Sequence, residues 1–74
     1  MRVVFRVDHC LGPYGLVEAG ETGSLEGGPP GYIVVRLDTP HLELPAGWGN
    51  SVWIDEDETT RYLEPIDRHS RETV

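Results

Sequence analysis

Gly27-Gly28-Pro29-Pro30-Gly31 followed by Tyr32-Ile33-Val34-Val35-Arg36-Leu37 decides the class of fold. The first five residues cannot continue a helix or a strand, so they force a sharp turn. The next six are rich in β-branched and aromatic side chains, which suit a pleated surface. Alternation then sends Ile33, Val35 and Leu37 to one face and Tyr32, Val34 and Arg36 to the other. Moving outward, Thr22-Gly23-Ser24-Leu25-Glu26 reads as the preceding strand, with Leu25 inward. Arg2 to Asp8 reads as the first strand, with Val3, Phe5 and Val7 on the core face and Arg2, Val4 and Arg6 opposite. Leu11-Gly12-Pro13-Tyr14-Gly15 opens a loop. Downstream, a long excursion from Asp38 to Gly49 contains Pro40, Pro45 and Gly47-Trp48-Gly49. Ser51 to Ile54 forms the fourth strand, with Val52 and Ile54 inward and Trp53 on the far face. Arg61-Tyr62-Leu63-Glu64-Pro65-Ile66 closes the pattern as a helical turn or a short last strand. No window keeps a helical period without glycine or proline cutting it, and helix interiors tolerate neither well.

Five short strands of this kind in a chain of 74 residues predict an all-β fold, a small five-stranded barrel that is closed or nearly so. Closure removes the exposed edges that invite aggregation. The barrel is expected over residues 1–66, with a short helical turn near its C-terminus and a polar tail over 67–74. Gly20-Glu21-Thr22-Gly23-Ser24-Leu25, then Val34-Val35-Arg36-Leu37-Asp38, then Trp48-x-Asn50-x-Val52-Trp53 follow one another in this order. That succession resembles the SH3-like small barrel of KOW-type modules and of many short bacterial and phage proteins. The resemblance covers residues 2–66 and implies a fold, whereas function has to be argued from a site. Two features of related barrels are absent. The loops are not basic as in RNA-binding KOW modules, and the substrate-binding strand motif of the plasmid-type dihydrofolate reductases is not found.

Composition excludes several classes. Thirteen acids face six bases, all arginine, for a net charge of −7, and five of the acids fall within residues 41–60 where there is no arginine. Sequence-independent nucleic-acid binding needs clustered cations, so it is disfavoured. Only Arg2, Arg6 and Arg36 could form a basic stripe. No apolar run approaches the roughly 18 residues of a membrane span, and Arg6 interrupts the N-terminal apolar stretch, so no signal or transit peptide is read. One cysteine excludes an internal disulfide framework and a cysteine-based zinc cluster. A cytoplasmic protein is the expectation.

Candidate functional residues fall into two sets. Tyr14 and Trp48 lie in glycine-flanked loops, and Trp53 faces away from Val52 and Ile54. Exposed together, they would form an aromatic patch for a protein partner; the alternative is that they cap an undersized core. Asp55-Glu56-Asp57-Glu58 lacks the alternating ligand spacing of a calcium loop and reads as a solvated turn, or as an attraction for a basic partner. His9, Cys10, His41 and Glu43 could supply metal ligands. However, adjacent residues rarely face one metal, so no cofactor is read, and Cys10 reads as a half-buried small hydrophobe or an unremarkable thiol. No nucleophile motif surrounds Ser24, Ser51, Ser70 or the histidines. The expectation is a non-enzymatic protein-interaction module that binds a basic or proline-containing protein partner through Tyr14, Trp48 and Trp53 beside Asp55 to Glu58. The alternatives are a homo-oligomeric assembly protein and a nucleic-acid-associated protein.

Overall fold

The structure, a computed structural model, describes residues 1–66. The expected polar tail over 67–74 lies outside the described residues. The strands are β1 (Arg2–Phe5), β2 (His9–Cys10), β3 (Leu16–Val17), β4 (Thr22–Gly27), β5 (Tyr32–Leu37), β6 (Ser51–Asp55) and β7 (Leu63–Pro65), with one short helix, α1 (Thr59–Tyr62). The chain is all-β, as its alternation demands. No described helix is long and apolar enough to cross a membrane.

Five strands form one antiparallel sheet in the order β6-β5-β4-β1-β7, and β2 pairs with β3 as a separate two-stranded ladder. The expected closed barrel is therefore corrected to an open sheet, whose edges β6 and β7 do not pair with each other. The reason lies in β7. The Leu63 N–H already donates to Thr59 O, and Pro65 has no N–H, so the outer side of β7 has no donor for a closing ladder. The concave face is covered by packing instead. Val17 of β3 and Leu44 of the long loop join Val3, Phe5, Val35, Leu37, Val52, Ile54 and Leu63 in one core, with Tyr14, Leu25 and Ile33 packed against it.

The register accounts for the inward residues of the central strands. Val35 opposes Leu25 on one side and Val52 on the other, and Ile33 opposes Ile54. Val7 is a correction. β1 ends at Phe5, the chain turns toward β2, and Val7 is left exposed.

Gly23 sits in the middle of this sheet, opposite Val3 on β1 and Leu37 on β5. A Cβ there would come 2.5 Å from Arg36 O and 2.9 Å from Val35 Cγ1. Backbone cannot yield as a flexible side chain can, so β4 and β5 would be pushed apart. Gly23→Ala is expected to lower unfolding free energy by about 1–3 kcal/mol in urea titrations, the usual cost of overpacking. Gly27→Ala, with nothing within 4 Å of the new methyl, should be neutral or slightly stabilising.

Candidate functional site

The outer face of β5 and β6 is where the structure exposes aromatic side chains. Alternation turns Val35 and Val52 inward and brings Tyr32, Val34 and Trp53 outward, with Val34 directly opposite Trp53. The Tyr32 and Trp53 rings lie 5.6 Å apart and tilted, with Tyr32 45% and Trp53 58% exposed. Such exposure excludes a core-capping role for Trp53.

The acidic segment adjoins this pair. Asp55 ends β6 directly opposite Tyr32, and Glu56–Glu58 form a single tight helical turn. The turn is held by the Glu56 N–H donating to Gly31 O at 2.9 Å and by the Asp57 N–H donating to Asp55 Oδ1 at 3.4 Å. Asp55, Glu56 and Asp57 are exposed, while Glu58 is half-buried with Arg61 3.6 Å away. The side chains of Asp55, Glu56 and Asp57 have no cationic partner among the described residues.

Tyr14 and Trp48 form a second pair, meeting edge to face at 5.0 Å. Tyr14 is half-buried against the core, and Trp48 is 45% exposed. Trp48 belongs to a helical turn over Ala46–Trp48, which Gly49 and Asn50 end with φ of 62° and 59°. Both fall in the left-handed region, rare for a residue with a side chain except asparagine and its close kin. This pair precedes the start of β6, whereas Asp55 lies at its end. The candidate residues thus gather as two ring pairs joined by one strand, with the acids beside Tyr32 and Trp53.

Tyr32 is a site residue that the sequence does not single out. Its outward position on β5 is legible, but its proximity to Trp53 depends on register. Of the other polar candidates, His9 and His41 are engaged internally. His9 lies between Phe5, 6.1 Å away and stacked, and Tyr62, 4.6 Å away edge-on, and burial pushes its pKa down. Cys10 is exposed rather than half-buried, because β2 leaves it on the outer side of a two-residue ladder. His41 Nε2 pairs with Glu21 Oε1 at 2.7 Å. Glu43 lies against Gly15. Among the described residues, no group of three or more His, Cys, Asp or Glu is placed to hold a metal ion.

The three arginines of the conceivable basic stripe also have partners. Arg36 pairs with Glu26 at 3.0 Å, and Arg6 Nη1 donates to Thr60 O at 2.7 Å. Arg2 binds both carboxylate oxygens of Asp38, which also accepts from the Thr22 hydroxyl. Nearby, Glu18, Ala19, Gly20, Glu21, Thr22 and Thr39 line a shallow polar groove.

Comparison with known proteins finds no matching family model, no matching curated protein and no matching solved structure.

Hydrogen bonds from Arg2 and then Thr22 hold the Asp38 carboxyl down at about 2, against an ordinary 3.8. Between those values the unfolded chain binds a proton that the folded chain does not, so stability falls as pH drops through that window. Thermal melts of Asp38→Asn should therefore lose less melting temperature between pH 4 and pH 2 than the unsubstituted protein. A separate loss should begin as pH falls below the ordinary histidine value of 6.5, because the enclosed His9 ring resists protonation. His9→Phe should remove that second limb.

Proposed function

We propose that this chain is a non-enzymatic protein-interaction module of SH3-like architecture. Its binding surface is the outer corner of β5 and β6, where Tyr32 and Trp53 provide contact area and Asp55 to Glu58 attract a basic partner. The observation that carries the reading is an exposed Tyr32–Trp53 pair directly beside carboxylates free of cationic partners among the described residues. Aromatic side chains of this kind recur at the energetic centre of interfaces. Rim carboxylates accelerate encounter with a cationic surface more than they tighten the final complex. Tyr14 and Trp48 extend the contact past the start of β6. The architectural part of the proposal is supported by the strand order, in which the last strand returns beside the first after a short helical turn. A cytoplasmic setting fits a chain with a single, exposed, unpaired cysteine.

The test is a comparison of partners retained on immobilised protein from cell extract. Trp53→Ala should weaken capture strongly, on the order of thirtyfold for a central interface tryptophan. Trp48→Ala should weaken it less. Replacing the three exposed acids together (Asp55→Ser, Glu56→Ser and Asp57→Ser) should slow association and reduce its salt dependence. If Trp53→Ala and Trp48→Ala both fold and keep every partner, the reading is wrong. Light scattering across protein concentration reports on the alternative of self-assembly, which requires a mass above that of the monomer.

A further inference from the structure

The two edges of the five-stranded sheet differ in what their backbones offer. Leu37 N–H donates to Asn50 O, and Glu56 N–H donates to Gly31 O. Both pairs fit the β5–β6 register, in which Val35 opposes Val52 and Ile33 opposes Ile54. Antiparallel ladders alternate hydrogen-bonded and non-bonded pairs. Asn50, Val52, Ile54 and Glu56 therefore direct their N–H and C=O groups toward β5. Ser51, Trp53 and Asp55 direct theirs away from it, toward the open side. Among the described residues nothing pairs with β6 on that side. The Asp55 carbonyl caps the helical turn that follows, which leaves the Asp55 N–H and both backbone groups of Ser51 and Trp53 facing outward without a bonded strand.

The opposite edge is closed to the same interaction. The Leu63 N–H is bonded to Thr59 O, and Pro65 has no N–H. An added strand would find carbonyls there but no donors. Proline on an edge strand is a recognised means of preventing edge pairing.

We propose that β6 receives an extended, basic peptide segment of a partner protein as an additional antiparallel strand, paired to the backbone of Ser51 and Trp53 and to the Asp55 N–H. The proposal rests on the interaction reading above and adds the mode of binding and the pattern of the ligand. Strand addition draws its affinity from main-chain bonds and its specificity from alternate side chains. A ligand residue opposite Trp53 would share its face and should be apolar. Two residues toward the ligand's N-terminus, the side chain opposite Asp55 should be Lys or Arg. Further cations beyond it would meet Glu56 and Asp57. Charge favours this occupant over a second copy of the chain, since residues 41–60 carry five acids and no arginine, and the whole chain carries −7.

The probe is a synthetic peptide of three arginines followed by alternating valines and threonines. Its binding is followed by tryptophan fluorescence, and the full chain's amide exchange by NMR. The expected result is slowed exchange at Ser51, Trp53 and Asp55, with Val52 and Ile54 unchanged because β5 already protects them. Asp55 has φ −56° and ψ 131°, a conformation that proline adopts without strain. Asp55→Pro deletes only an outward N–H beyond what Asp55→Ala deletes, so it should bind the peptide about tenfold more weakly than Asp55→Ala. Melting curves of both variants check that they fold.

Peptide binding without amide protection, and equal affinity for the two variants, would overturn strand addition while leaving the aromatic and acidic surface as the binding site. No binding of the peptide overturns the proposed occupant, and the extract comparison then decides separately on the interaction reading. Protection of the same three amides that rises with protein concentration in the absence of peptide assigns the edge to a second copy and also overturns the proposal.

Discussion

The side-chain amide of Asn50 holds the long loop between β5 and β6 in place. Its Oδ1 accepts from the His41 N–H at 2.8 Å, and its Nδ2 donates to Leu37 O at 3.0 Å and Thr39 O at 2.8 Å. One side chain at the end of an irregular segment thus satisfies three backbone groups at its beginning, groups that would otherwise need water or each other. Asparagine is suited to the task because it tolerates the left-handed φ of 59° observed there. Fixing this corner sets where β6 begins, which in turn sets its register with β5 and the side on which Trp53 emerges. The same corner carries Trp48 onto Tyr14.

From that corner the outer surface follows by alternation. Every residue that β5 and β6 turn inward serves the core, and of those turned outward Tyr32, Trp53 and Asp55 are exposed while Arg36 is paired with Glu26. A tryptophan in an interior strand would be flanked on both sides, whereas Trp53 is flanked only by Val34 and Tyr32 of β5. Its ring and its backbone are therefore both accessible, and the acids follow it directly along the chain, Asp55 in β6 and Glu56–Glu58 in the next turn. Affinity and attraction share one short stretch of chain, Trp53 to Glu58.

The sequence makes the central part of this arrangement legible. Period-two alternation identifies the inward residues of β5 and β6 and the outward Trp53 because both strands have a buried face that fixes register. The turn at Gly28 to Gly31 and the helical turn before β7 are signalled by local chemistry. What escapes is set by long-range pairing. Whether the sheet closes depends on the Leu63 N–H and on Pro65, and neither residue's hydrogen bonding is visible in hydrophobic pattern. The β2–β3 ladder is two residues long on each side, too short for alternation to register. Val7 continues an apolar pattern past the point where the chain turns. The proximity of Tyr32 to Trp53 and the pairing of His41 with Glu21 join residues about twenty positions apart, and spacing carries no information about them.

The proline at position 65 also has a consequence for how this protein can assemble. Open-ended growth requires every unit to present two complementary surfaces, so that each newcomer leaves a fresh site behind it. Here one margin of the sheet can accept a strand and the other cannot. Among the described residues, association through β6 would consume the one strand-accepting margin of the five-stranded sheet and end at a pair. A missing hydrogen on one ring nitrogen acts as a chain terminator, allowing the molecule an adhesive edge at low risk of fibres.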